Sequence, residues 1–320
     1  MRQDYSIADG RVVENTGGPI RVYTSPMADE RAELIRTCGI DDHTLSSMLD
    51  PEEVPRIEVE GDHTIVIWKQ PDPASFRVAG LFEVSSLGLV MHKDWLTIVV
   101  AKEGPDLCRK RTRAISTLND LVLRELLETV RHYIEHLRVI KAMSREVQTK
   151  LNTSIGNEYL LRMFSLGESL VYYVNAIEAN GGALVRLRAV ADRFGFSADE
   201  VRLLEDLTIE NTQCARQASI YSEVLSGLMD ARGNIVNNNM NVLLKNLTVI
   251  NVVFLPLGVI AGMGGMSEFS MMTAGVPWYI SYPGFVLGLG IIGFVTWQVL
   301  GRWMDRSMGN SESTRPRSKQ

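Results

Sequence analysis

NLTVINVVFLPLGVIAGMG at residues 246–264 and YISYPGFVLGLGIIGFVTWQVLG at residues 279–301 decide the architecture of this 320-residue chain. Neither stretch carries a charge, and each matches the ~20 apolar residues that a helix needs to cross a bilayer core. Between Asn246 and Gly301 the one ionisable carboxylate or base is Glu268, whereas residues 1–245 are charged throughout. Two such stretches closing a polar chain predict two membrane-spanning helices rather than buried helices of a soluble core.

The flanks agree. Trp278, Tyr279 and Tyr282 gather at one end of the second stretch, and Trp297 and Trp303 at the other, as rings do at the headgroup level. Lys245 precedes the first stretch. Arg302, Arg306, Arg315, Arg317 and Lys319 follow the second, against Asp305 and Glu312, and residues 265–278 contain no Lys or Arg. The positive-inside rule then expects both termini in the cytoplasm and the loop outside, in a multi-pass protein of the cell inner membrane. Pro256 removes one backbone donor inside the first span and marks a possible bend. Gly284 and Gly288 have the GxxxG spacing that lets helices approach closely, although membrane helices also tolerate glycine without that reason.

Upstream, Ile20–Tyr23, Thr64–Lys69, Leu81–Met91 and Trp95–Val100 read as strands, with helical patterns at Ala28–Cys38 and Thr44–Leu49, the latter with Asp42 as its candidate cap. From residue 116 the pattern turns helical. Thr117 is a candidate N-cap, Asn180-Gly181-Gly182 reads as a break, and Gly195-Phe196-Ser197 as another. Ser197 and Glu200 have capping-box spacing. No proline follows Ser197 until Pro256, which predicts one helix over 198–264, ~100 Å long at 1.5 Å per residue. A stalk of that length needs neighbours to bury its apolar face, which favours an oligomer. The expected fold is therefore an α+β membrane protein. It comprises an α/β cytosolic domain (1–115), a helical and stalk region (116–245), a first transmembrane helix (246–264), an outer loop (265–278), a second transmembrane helix (279–301) and a basic cytosolic tail (302–320).

Several function classes drop out. A net charge of -5 gives no reason to expect nucleic acid. Cys38, Cys108 and Cys214 are odd in number and widely spaced, so no disulfide framework is expected. MRQDYSIADG at the start has no apolar stretch, so no cleavable secretory signal is expected there. His132, Glu135 and His136 match H-x-x-E-H, which can mark a zinc peptidase. Their helix is long, charged and amphipathic, with no third ligand evident, and no enzyme is expected.

The stretch SGLMDARGNIVNNNMNVLLKNLTVINVVFLPLGVIAGMGGMSEF, residues 226–269, resembles the CorA family of two-transmembrane GxN metal-ion transporters. The family shows S-G-L-x-D, then N-x-x-x-x-x-L-T, F-x-P-L-x-x-I-A-G and G-M-N, and the spacing here agrees without a gap. GIDDHTLSSMLDPEEVPRIEVEGDHTIVIWKQP, residues 39–71, is a weaker match to the family's acidic pair and strand. The resemblance implies a funnel-shaped homopentamer in the lipid bilayer, conducting Mg2+ or Zn2+, with Co2+ or Ni2+ as further substrates, through a central pore. Cations would be substrate and regulator, with no other cofactor. A non-conducting scaffold or metal sensor on the same fold is the competing function.

The resemblance also assigns roles. Gly265, Met266 and Ser267 stand at the pore entrance where the family has G-M-N, and serine replaces an asparagine whose carbonyl holds a hydrated cation. The Ser267 hydroxyl can still hydrogen-bond a hydration water, from a shorter arm. Glu268 beside it, read from its own charge rather than from the resemblance, would form an anionic ring that concentrates cations, with a plain polar loop residue as the alternative. Leu244, Leu247 and Leu255 fall at the family's apolar constriction, which gates by dewetting; ordinary helix packing is the alternative. Asp230 matches an acidic ring lower in the pore, and Asp206 a position that binds a regulatory cation between subunits. The residues themselves suggest polar rings: in a symmetric oligomer each pore residue repeats around the axis. Mg2+ dehydrates reluctantly and suits uncharged polar linings. Asn237, Asn238, Asn239, Asn241, Asn246 and Asn251 are candidates, and Asn241 and Asn251, close to three turns apart, are expected to share a face with Leu244, Leu247 and Leu255.

Overall fold

The computed structural model describes residues 1–72, 82–102, 104–109, 113–153 and 157–312. They form two compact units that divide between Met229 and Asp230.

The first unit holds a sheet of β1 (Arg2–Ala8), β2 (Arg11–Glu14), β3 (Ile20–Thr24), β4 (Arg56–Glu60), β5 (His63–Pro71), β6 (Val84–Met91) and β7 (Leu96–Val100). Its order is β2-β1-β3-β7-β6-β5-β4. Only β3 and β7 run parallel; the other pairs are antiparallel. Its helices are α1 (Ala28–Cys38), α2 (Asp42–Leu49), α3 (Leu118–Thr153), α4 (Asn157–Val190) and the first part of α5 (Ala198–Gly264).

Period-two alternation sorts the core into two layers. On β5, Ile65 and Ile67 join Leu34, Leu45 and Met48 of α1 and α2. Val66 and Trp68 face the opposite side, into a core shared with α3, α4 and α5. The alternation explains why β5 and β7 read as continuous apolar runs: both faces are covered. Met48 lies directly over Gly88, where a Cβ would come within 2.5 Å of Met48 Cγ.

Strands β1, β2 and β4 were absent from the sequence reading. RVVE and RIEVE are short and charge-rich because they form the two sheet edges, where charged side chains discourage further pairing. β6 starts at Val84 rather than Leu81, which lies outside the described residues. The backbone N–H of Phe82 donates to Ser169 Oγ at 3.0 Å instead of joining a ladder.

Helix α2 is capped by Asp41, not Asp42: Asp41 is extended and its Oδ1 accepts from the Thr44 N–H at 2.7 Å, while Asp42 is already helical. Thr117 caps α3 through the Asp120 N–H. The capping box at the start of α5 forms as read. Glu200 accepts from the Ser197 N–H at 2.6 Å and donates its own N–H to Ser197 Oγ at 3.3 Å, after a left-handed Gly195 at φ 67°. Helix α5 then runs unbroken over 67 residues to Gly264.

Asn180-Gly181-Gly182 does not break α4, which continues through to Val190. Glycine lowers helix propensity by ~1 kcal/mol, and tertiary contacts override that here. A Cβ on Gly181 would sit 3.3 Å from Asn211 Nδ2 of α5, so this glycine allows the close approach of the two helices. The fully buried Asn180 amide bonds both backbone groups of Lys69 on β5, accepting at 2.9 Å and donating at 2.8 Å. The Lys69 ammonium reaches the other way, to the carbonyls of Asp50 and Pro51 beyond α2, at 3.0 and 2.6 Å. Burial pulls its pKa down to about 8.

The second unit contains the rest of α5, the short α6 (Ser267–Met272) and α7 (Trp278–Glu312). Helices α5 and α7 are both long and apolar enough to cross a membrane. Pro256 and Pro283 lie within them without ending either. The close contacts between them involve neither glycine of the GxxxG pair. A Cβ on Gly264 would press on the Phe285 ring at 2.4 Å, and one on Gly293 would lie 3.0 Å from Leu257. Gly284 and Gly288 meet nothing within 4 Å.

Replacing Asn180 by Ala strands a buried N–H and a buried C=O, at ~1–3 kcal/mol for each group left unsatisfied. We expect the full-length protein in detergent to unfold at least several degrees lower, measured by a thermal melt of its far-UV circular dichroism.

Candidate functional site

Within the second unit, α5 has two distinct faces. Val249, Val253, Leu257, Ile260 and Gly264 are half-buried, recur at steps of three and four, and so share one face. Leu257 and Gly264 on that face touch α7, whose own half-buried residues Phe285, Leu289, Gly293 and Thr296 recur with the same period.

The sequence-derived pathway residues lie on the other side. Asn241, Leu244, Asn251 and Leu255 are all exposed. At 3.6 residues per turn, Leu244, Asn251 and Leu255 fall within about 20° of the pole opposite the α7-covered face. Asp230 and Asn241 flank that pole on one side and Leu247 on the other, roughly 40–60° away. The set is thus one stripe, with Leu247 at its rim.

Three further positions complete the stripe and went unrecognised in the sequence reading. Asn241, Leu244, Thr248, Asn251, Leu255, Gly258 and Gly262 step alternately by three and four. Continuing that step from the two asparagines would have found Thr248, Gly258 and Gly262. Thr248 donates its hydroxyl to the Leu244 carbonyl at 2.8 Å, which leaves its oxygen lone pairs facing outward. The stripe therefore alternates amide, hydroxyl and isobutyl groups and carries no charge above Asp230. Its glycines near the end of α5 thin the helix.

Helix α5 ends in a tight turn, with Gly265 N–H donating to Gly262 O at 3.2 Å and Met266 N–H to Met263 O at 3.1 Å. Gly265 does not use the left-handed freedom of glycine, and a Cβ there would make only ordinary contact at 3.5 Å. Ser267 opens α6, and Glu268 follows within it. Asp206 lies in the first unit, exposed on α5 between the buried Leu204 and Leu207, and forms no ion pair among the described residues.

Among the described residues, no three His, Cys, Asp or Glu side chains converge to hold a metal ion. The H-x-x-E-H residues of α3 part company. His136 turns inward, with Nδ1 2.7 Å from the Tyr173 hydroxyl and its ring stacked on Tyr173, while His132 stays half exposed near Glu128. Burial lowers the pKa of His136, and the neighbouring His132 lowers it further.

A family model described as CorA-like Mg2+ transporter protein matches residues 22–302. This chain belongs to the CorA family. The cobalt/magnesium transport protein CorA of Methanocaldococcus jannaschii is 26% identical over 247 residues, spanning 76% of this chain and 77% of that one. The complete structure of the CorA magnesium transporter from the same organism superposes with a TM-score of 0.73 at 22% identity, covering 96% and 97% of the two chains. The structure of the full-length CmaX protein does so at 0.71 and 13% identity, covering 94% and 97%. CorA-family proteins are membrane-embedded divalent cation transporters and not enzymes, so this chain is a transporter; of the H-x-x-E-H residues, His136 packs inward while His132 and Glu135 are exposed.

Because the His136 pKa is lowered in the fold, the unfolded chain binds the proton more readily. The contribution of this residue to stability is complete above pH ~6.5 and is lost as pH falls through the folded value. We expect His136→Gln to flatten the fall in stability below pH ~6.5, read from unfolding midpoints between pH 5 and 8.

Proposed function

We propose that the chain is a subunit of a homopentameric channel that passes hydrated Mg2+, and Co2+ with it, down their gradients along a central pore. The observation that carries this reading is the two-faced α5: one side is covered by α7, and the other is a continuous uncharged stripe of Asn, Thr, Leu and Gly. Repeated around an axis, that stripe becomes a series of rings.

The lining chemistry favours a hard, hydrated ion. Mg2+ keeps its waters, and amide and hydroxyl groups such as Asn241, Thr248 and Asn251 can bond those waters. Zn2+ prefers imidazole and thiolate ligands, which the stripe lacks. Leu244 and Leu255, with Leu247 at the rim, form the apolar constriction in this reading. Asp230 adds an acidic ring at one end. Gly265, Met266, Ser267 and Glu268 form the entrance at the other, outside the cell, with both termini in the cytoplasm. Asp206 would hold a regulatory cation between neighbouring subunits. The likeness to the family and the cobalt/magnesium name of the Methanocaldococcus relative support these assignments.

Flux in proteoliposomes tests the proposal. We expect Mg2+ and Co2+ to pass faster than Zn2+, and Leu255→Ser to raise basal flux several-fold by wetting the constriction. Ser267→Asn, which lengthens the polar arm at the entrance, should lower the Mg2+ concentration for half-maximal flux by at least twofold. Flux no greater than in empty liposomes under every gradient would instead identify a non-conducting scaffold. An unchanged ion order and affinity in Ser267→Asn would remove Ser267 from the entrance.

A further inference from the structure

Four of the 14 methionines of this chain lie within ten residues: Met263, Met266, Met271 and Met272. The family motif accounts for Met266 alone. Methionine ordinarily serves as a flexible filler of core gaps, yet these four are 53–86% exposed within their own unit. Packing inside the chain therefore does not explain them.

All four lie on one turn and the short helix that follows it. The Met266 N–H bonds the Met263 carbonyl at 3.1 Å, which folds that pair into one turn at the end of α5. Helix α6, only six residues long, then carries Met271 and Met272 at its far end. Six residues rise ~9 Å, a gap that two unbranched side chains with three rotatable bonds each can close. The Ala274 N–H bonds the Met271 carbonyl at 3.3 Å and turns the chain back after α6.

Thioether sulfur is uncharged, polarizable and soft. It binds hard Mg2+ poorly and selects soft monovalent ions such as Cu+ and Ag+. We infer that Met263, Met266, Met271 and Met272 form a thioether site for soft monovalent cations. The binding does not depend on the proposed pore. Its consequence does: at the pore entrance, an ion held by these sulfurs blocks the passage of divalent cations.

Full-length protein labelled at the methionine methyl carbons, with the exposed Cys108 first alkylated, provides the test. On titration with Ag+, the methyl resonances of the four residues should shift together and saturate at a low multiple of protein. Met27, 76% exposed in the first unit with Met1 as its neighbour across the Glu30 carboxylate, is the internal control and should not move at the Ag+ concentrations that saturate the four. The double variant Met271→Leu/Met272→Leu, similar in size but without sulfur, should weaken Ag+ binding at least tenfold. It should also keep its divalent flux and lose sensitivity of that flux to external Ag+. Immobile methyl resonances, or a shift at Met27 parallel to that of the four, would overturn the site. Saturable shifts in protein that carries no flux would uphold the site and overturn the pore reading instead.

Discussion

Lipid offers no hydrogen bonds, so a backbone crossing it must satisfy its own polar groups. That requirement makes residues 246–264 helical, and the helical period then decides which side chains lie side by side. Once α7 seats Phe285 against Gly264 and Gly293 against Leu257, one side of α5 is occupied. Thr248 and Asn251 fall on the remaining side. The candidate pathway follows from this division of one helix surface: the hydroxyl of Thr248 and the amide of Asn251 lie where α7 is not.

The same helix serves a second master in the first unit. There Leu204, Leu207, Asn211, Cys214, Ala218 and Leu225 bury themselves against the sheet-covering helices, and Gly181 clears the way for Asn211. A single helix can meet both demands because nothing interrupts it. The capping box at Ser197 and Glu200 sets its start, and no proline intervenes before the membrane stretch.

Much of this was legible in the residues, and the exceptions have physical causes. The spans, the long helix, its capping box and the start of α3 are local patterns with strong periodicity or a side-chain signature. Strands β2 and β4 were hidden because edge position suppresses the apolar signal that identifies a strand. The glycines at 181 and 182 read as a break because helix propensity is local, whereas Gly181 allows contact with a helix some thirty residues later. On the candidate pathway, Asn241 and Asn251 stood out by type. Thr248, Gly258 and Gly262 stand out only once the alternating three-four step through Asn241 and Asn251 is continued along the helix.

Strand β4 ends opposite Ile67, so Lys69 presents its N–H and C=O to an open flank of the sheet. The carboxamide of Asn180, which bonds both groups, imitates the peptide of a missing neighbour. It finishes the sheet with one side chain where another strand would otherwise dock. In an assembly that crowds many copies of this domain together, that stopper denies foreign strands a template for intermolecular growth.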